Sequence, residues 1–91
     1  MFVQIVTPDR VALEIEARMA LLPGELGDFA VLDKHEPMMV LIKEGAVEIK
    51  DYEDLCHNYV VGSGMVYIEQ TKCVVLTAHV ASSKNGNTPE N

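Results

Sequence analysis

Hydrophobic and polar positions alternate along the early part of the chain, as they do in half-buried β-strands. From Val11 to Leu21 every second residue is apolar, while Glu14, Glu16 and Arg18 occupy the other predicted face. The segment is also rich in good helix formers, so propensity alone would allow a helix. We predict a strand because the period-two alternation is long and strand-like segments flank it.

The same alternation recurs in shorter segments between turn signals. Residues 47–50 alternate between apolar and charged side chains, and residues 55–61 repeat the pattern. A β-branched, apolar run at 73–76 is typical of a strand buried on both sides. Pro, Gly or clustered polar residues interrupt the strands at 7–10, 23–24, 43–45, 51–54, 62–64 and 70–72. Several short strands at this spacing predict an all-β sandwich or barrel.

Length and charge restrict the classes of function. The chain has 91 residues, which fits one domain with one core. Its formal net charge is −7 at pH 7, which disfavours nucleic acid as a partner and suits a basic partner protein. Cys56 and Cys73 match neither a zinc spacing nor a redox motif, so we predict two free, buried thiols. The N-terminus lacks signal-peptide character, and no apolar run is long enough to span a membrane.

The sequence contains no motif that indicates catalysis or cofactor binding. Nucleophile-elbow, zinc-protease, P-loop and dinucleotide-binding motifs are all missing, and residues 62–64 do not form a phosphate loop. We therefore predict no catalytic residue, cofactor, metal or small-molecule substrate. The densest polar cluster contains Asp28, Asp33, His35 and Glu36. It fits a solvated loop or a protein-docking loop better than a metal site, because no second His lies at ligand spacing.

Residues 23–49 resemble the signature segment of the epsilon subunit of bacterial and plastid ATP synthases, called delta in mitochondria. The segment reads PGELGDFAVLDKHEPMMVLIKEGAVEI, with a Gly-Asp-Phe block at 27–29, a His-x-Pro loop at 35–37 and a Gly-started strand at 45–49. A second block at 60–69 resembles the glycine-pair bend and following strand of the family, and 74–78 resembles its closing strand. The resemblance covers roughly residues 2–81.

The resemblance implies a fold and a non-catalytic function. The fold is a flattened β-sandwich or barrel of about ten mostly antiparallel strands. The function is that of a central-stalk rotor subunit, which docks on the gamma subunit and c-ring of a proton-translocating ATP synthase and couples ion flow to ATP synthesis. The positions that match the c-ring-facing loop of the family are Asp28 and His35, with Glu36 adjacent. Gamma should meet an apolar patch on one sandwich face, which the alternation does not identify.

The resemblance also bears on location and domain organisation. Such a subunit lies at the cytoplasmic face of the bacterial plasma membrane, which it reaches only through the complex. Many members of the family continue into a C-terminal pair of helices, whereas this chain ends in polar residues. We therefore expect a β-sandwich domain at 1–81, a disordered tail at 82–91 and no C-terminal helical hairpin. The alternative function is a free-standing β-sandwich protein-binding module unrelated to ATP synthase, which predicts a monomer with a fully polar exterior.

Overall fold

The computed structural model describes residues 1–83, and these residues form nine β-strands. The strands are β1 Phe2–Val6, β2 Val11–Gly24, β3 Gly27–Leu32, β4 Met38–Ile42, β5 Gly45–Asp51, β6 Cys56–Val61, β7 Gly64–Glu69, β8 Lys72–Thr77 and β9 Val80–Ser82. The predicted all-β fold is confirmed, with nine strands in the described residues against the expected ten or so.

The long strand β2 belongs to both halves of the sandwich. Its first half pairs with β1, and the strands β8, β7 and β4 continue from β1. Its second half pairs with β3 on one edge and with β5 on the other, and β6 and β9 follow β5. The end of β2 also meets β4, at Gly24 opposite Ile42. All these pairs are antiparallel except β1 with β8, which confirms the predicted mostly antiparallel arrangement.

A bulge in β2 changes which residues face the core. The register between β2 and β5 shifts between Ala17 and Met19, which places one extra residue, Arg18, in β2. An extra residue moves the following side chains to the opposite face. Ala17 is buried before the bulge, and the buried residues after it are Ala20 and Leu22. The prediction that Met19 and Leu21 share the face of Ala17 is therefore wrong: both lie on the outer face and are half-buried.

Most predicted turns lie where the sequence places them, with one exception. The connections at 7–10, 43–44, 62–63 and 70–71 fall within predicted turns. The predicted turn at Pro23 and Gly24 is wrong, because both residues are buried at the end of β2 and the turn consists of Glu25 and Leu26. The Pro23 carbonyl accepts a hydrogen bond from the Lys43 N–H at 2.9 Å, so the backbone groups of Pro23 face the end of β4 and not β3. Proline is tolerated at this position because its missing N–H removes no hydrogen bond to β3.

The core consists of small and β-branched aliphatic side chains between the two halves of the sandwich. The larger fully buried residues are Ile5, Leu22, Ile42, Ile49, Ile68, Val3, Val31, Val47, Val61, Val66 and Val75. Neither cysteine forms a disulfide within residues 1–83, as predicted, but only Cys73 is fully buried and Cys56 is half-buried. The predicted tail at 82–91 lies outside the described residues from position 84 onward and stays a prediction.

Candidate docking surfaces

The three predicted docking residues lie on β3 and on the loop that follows it. Asp28 is exposed on β3, His35 is half-buried in the loop between β3 and β4, and Glu36 is exposed beside it. One groove has both Asp28 and His35 in its wall, whereas Glu36 lies outside its lining. The structure therefore brings two of the three predicted residues together.

The loop that carries His35 is held by backbone hydrogen bonds. Lys34, in the left-handed region with φ 67°, donates its N–H to the Gln70 carbonyl at 2.8 Å, which ties the loop to the turn between β7 and β8. The His35 N–H donates to the Leu32 carbonyl at 3.2 Å. His35 Nδ1 lies 2.8 Å from the Glu36 carbonyl, so this nitrogen carries a proton and donates it. The ring is therefore oriented before any partner arrives.

The groove lies between the β2–β3 hairpin and β4 and has a volume of about 670 Å³. Its lining is mostly apolar, and its ionisable residues are Glu25, Asp28 and His35. Leu26, at the tip of the hairpin, is 105% exposed. The apolar side chains of the lining include Leu26, Phe29, Met38, Met39, Val40 and Leu41. An apolar wall with acidic groups beside it suits a polypeptide partner better than a small charged substrate.

A second surface, the apolar outer face, covers strands β4, β7 and β8. Two rows of aligned residues form it, and each row contains one residue from each strand. The rows are Met39, Tyr67 and Val74, and Leu41, Met65 and Leu76. The exposed fractions are 63% for Met39, 54% for Leu41, 44% for Leu76 and 42% for Tyr67. A contiguous apolar face of this kind on an isolated chain is typical of a protein interface.

The opposite outer face of the sandwich is more polar. Glu48 of β5 lies opposite Asn58 of β6, and Lys50 lies opposite Cys56. These charged and amide groups interrupt the apolar residues of that face, of which Val60 is 40% exposed. The sandwich is therefore asymmetric, with its broad apolar patch on the β4–β7–β8 side. The alternation could not identify this side, because Val66 and Ile68 make the other face of β7 apolar as well.

The turn between β5 and β6 is organised by the carboxylate of Asp51. Asp51 Oδ1 accepts hydrogen bonds from the N–H groups of Glu53 at 2.8 Å and Leu55 at 3.0 Å. Its Oδ2 accepts one from His57 Nε2 at 2.9 Å. The His57 side chain and these backbone bonds hold the pKa of Asp51 below its usual value of 3.8, although partial desolvation opposes them. The arrangement stabilises the turn.

Asp51→Asn should lower the melting temperature at neutral pH, because it removes the charge that binds His57. A depressed pKa means that this stabilisation is present above 3.8 and is lost as the pH falls through the lower value of the folded state. Melting curves between pH 7 and pH 2 should therefore show the difference from wild type shrinking in acid. Glu53→Gln is the control, since it removes a charge from the same turn and leaves the Asp51 carboxylate intact. A difference that grows in acid would contradict the assignment.

Neither thiol is an activated nucleophile. Cys56 Sγ donates to Glu48 Oε2 at 3.2 Å, and this bond with partial burial raises the pKa of the Cys56 thiol. Burial raises the pKa of Cys73 to about 12. Within residues 1–83, no three His, Cys, Asp or Glu side chains come close enough together to hold a metal ion. In the same part of the chain there is no helix that could cross a membrane.

Comparison with known sequences identifies relatives of the chain. The family model described as ATP synthase, Delta/Epsilon chain, beta-sandwich domain matches residues 1–83. An ATP synthase epsilon chain of Rickettsia felis is 36% identical over 92 residues, covering 97% of this chain and 80% of the relative. An ATP synthase epsilon chain of Gluconacetobacter diazotrophicus is 35% identical over 74 residues, covering 81% of this chain. The chain spans only 52% of the length of that second relative.

Two solved structures share the fold. A chain in the mitochondrial ATP synthase OSCP/F1/c-ring assembly of Euglena gracilis superposes with a TM-score of 0.82 at 17% identity, covering 88% of this chain and 51% of that one. A chain in the central stalk/c-ring of Tetrahymena thermophila ATP synthase gives a TM-score of 0.76 at 13% identity, covering 93% and 68%. With the family match over residues 1–83, the chain belongs to the family of ATP synthase delta/epsilon chain β-sandwich domains.

Proposed function

We propose that this chain is a non-catalytic rotor subunit of the central stalk of a proton-translocating ATP synthase. In this role it binds the gamma subunit and the c-ring, turns with them and couples ion flow to ATP synthesis. Membership of the delta/epsilon family supports the proposal. The observation that carries it is the apolar outer face of β4, β7 and β8, which needs a partner to cover it.

The gamma subunit is the proposed partner of the apolar outer face. Tyr67, Met39 and Met65 belong to residue types that are enriched in the cores of protein interfaces, and Leu41 and Leu76 extend the apolar area around them. Both rows lie on paired strands, so little backbone order must be gained on binding. We assign gamma to this face because the opposite outer face carries charged residues, including Glu48 and Lys50.

The c-ring is the proposed partner of the surface formed by β3 and the loop that follows it, through Asp28, His35 and Glu36. The two carboxylates are exposed and suit basic groups on the c-ring loops, and they contribute orientation and association rate more than affinity. The backbone bond between Lys34 and Gln70 holds the loop in place for this contact. Through these contacts the subunit would be peripheral at the cytoplasmic face of the bacterial plasma membrane.

The alternative, a free-standing β-sandwich module, predicts a fully polar exterior. Met39 and Leu41, more than half exposed on the apolar outer face, do not fit that prediction. The relatives named as ATP synthase epsilon chains also favour the rotor role. The two functions still differ in a measurable way, because only the rotor role requires binding to gamma and the c-ring.

Co-purification tests the rotor role directly. The tagged chain is mixed with the gamma subunit and c-ring of the same organism, and we expect all three to be retained in fixed stoichiometry. Asp28→Lys should weaken retention of the c-ring several-fold at low salt, because it places a cation where basic groups are expected. It should leave gamma binding unchanged, which serves as the internal control. Failure of the wild-type chain to retain gamma would refute the rotor role.

A further inference from the structure

One edge of strand β3 is open in the part of the chain that the structure describes. Among residues 1–83, β3 pairs only with β2, where Pro23 lies opposite Asp28 and Leu21 opposite Ala30. The Pro23 carbonyl accepts from Lys43, so its backbone faces away from β3. In an antiparallel pair, two residues opposite each other direct their N–H and C=O groups either both towards the partner strand or both away from it. The two arrangements alternate along the strands. Asp28 and Ala30 therefore direct their N–H and C=O groups away from β2, to the open edge.

Strand β4 borders the other side of the groove, and its end is bonded to the β2–β3 hairpin. The Leu41 carbonyl accepts a hydrogen bond from the Glu25 N–H at 3.1 Å, so the backbone of Leu41 faces away from β7. Met39, two residues earlier, faces the same way. Ala30, Asp28, Met39 and Leu41 all line the groove. The groove therefore has the open edge of β3 on one side and, on the other, β4, whose end is bonded to the β2–β3 hairpin, with apolar side chains between them.

The β3 edge has few of the features that usually protect a sheet edge. Edge strands are commonly blocked by charged side chains, above all lysine, or by proline, a bulge or very short length. The one charged side chain of β3 is that of Asp28. β3 has six residues, GDFAVL, with neither lysine nor proline, and its pairing with β2 shows no register shift. By contrast, β9 at the end of the other half has only three residues. An open edge of ordinary length beside an apolar groove is suited to receive another strand.

We propose that an extended segment of a partner protein binds in the groove by adding a strand to the open edge of β3. Its backbone exchanges hydrogen bonds with Asp28 and Ala30. Alternate side chains are apolar and lie against Phe29 and Met38, and a Lys or Arg near one end of the segment pairs with the carboxylate of Asp28 or Glu25. The inference rests on the proposed function only in that both place a partner protein against Asp28 on this side of the sandwich.

Designed peptides provide the probe. We would titrate the chain with a set of acetylated, amidated ten-residue peptides in which threonine alternates with valine, leucine or phenylalanine and a lysine stands at each end. At least one peptide should shift the amide signals of Asp28 and Ala30 in NMR spectra and slow their hydrogen exchange. The same peptide with its alternate backbone amides N-methylated should not bind, and glutamate in place of lysine should weaken binding. The absence of any effect at these two amides across the whole set overturns the proposal.

Ala30→Pro tests the backbone contact on the protein side. It removes the N–H of Ala30 that points to the open edge, and it removes no hydrogen bond to β2. Proline is tolerated in an edge strand at a position of this kind. Peptide affinity should fall about tenfold or more, while Ala30→Val, which keeps the N–H, should bind like wild type. Equal binding by Ala30→Pro and wild type overturns the proposal. If Ala30→Pro does not fold, the N-methylated peptide on wild-type protein decides the question.

Two further readouts separate this inference from its alternatives. Ala30→Pro should still co-purify with gamma, because Ala30 lies outside the apolar outer face, so loss of peptide binding with gamma binding retained supports the inference alone. Loss of gamma binding by the wild-type chain would refute the rotor role and leave the peptide result standing.

Sedimentation should show a monomer. A concentration-dependent dimer that Ala30→Pro abolishes would identify a second copy as the occupant and overturn the assignment to a partner.

Discussion

Leu76→Glu should weaken binding to the gamma subunit by about 30-fold or more, the effect of losing a central interface residue. Leu76 is 44% exposed and lies in the row that joins Leu41 and Met65 on the apolar outer face. A carboxylate at this position would lose water on binding with no cation of the face to pair with it, which is unfavourable. Titration calorimetry or surface plasmon resonance against purified gamma measures the change.

Val60→Glu is the matched control for this prediction. Val60 is also a strand residue, is 40% exposed and lies on the opposite outer face. Both variants place a glutamate on a strand at similar exposure, so they should have similar free energies of unfolding in urea. Only Leu76→Glu should lose gamma. If Val60→Glu weakens binding as much as Leu76→Glu, gamma does not bind the β4–β7–β8 side.

Strand β2 shows how far hydrophobic alternation can predict a fold. The long period-two pattern from Val11 correctly predicts a strand, although the residue types also favour a helix. The pattern does not predict the bulge at Arg18, because a bulge exists only relative to the partner strand β5. The assignment of inward and outward residues therefore fails from Met19 onward, although the element itself is right.

The docking surfaces were predictable only in part, for a related reason. The family resemblance indicates Asp28, His35 and Glu36, and the structure places the first two in one groove. The groove itself exists because β3 pairs along β2 while β4 pairs along β7 and meets β2 only at Gly24, and no local pattern in the sequence records these pairings. The sequence does not predict the apolar outer face, because β7 is apolar on both faces. Which of its two faces is buried in the core depends on how the neighbouring strands pack, and the sequence of β7 alone does not show this.

Gly64→Ala should destabilise the domain by about 2–4 kcal/mol, the upper range for forcing extra volume into a packed site. A Cβ at Gly64 would lie far inside van der Waals distance of the Leu76 carbonyl oxygen, which belongs to the paired backbone of β8. The backbone cannot easily move away, because Thr77 Oγ1 donates to the Gly62 carbonyl at 2.9 Å and lies 3.2 Å from that of His79. Urea denaturation followed by circular dichroism measures the loss.

Gly62→Ala isolates the steric part of this effect. A Cβ at Gly62 would lie 2.7 Å from His79 Nε2, but that neighbour is an exposed imidazole that can rotate away. Both substitutions reduce the entropy of the unfolded chain by the same amount, so the difference in stability between them reports the clash alone. We expect Gly62→Ala to be the more stable by at least about 1 kcal/mol. Equal stabilities would mean that β8 can shift away from β7, and that the corner formed by Thr77 is less rigid than its hydrogen bonds indicate.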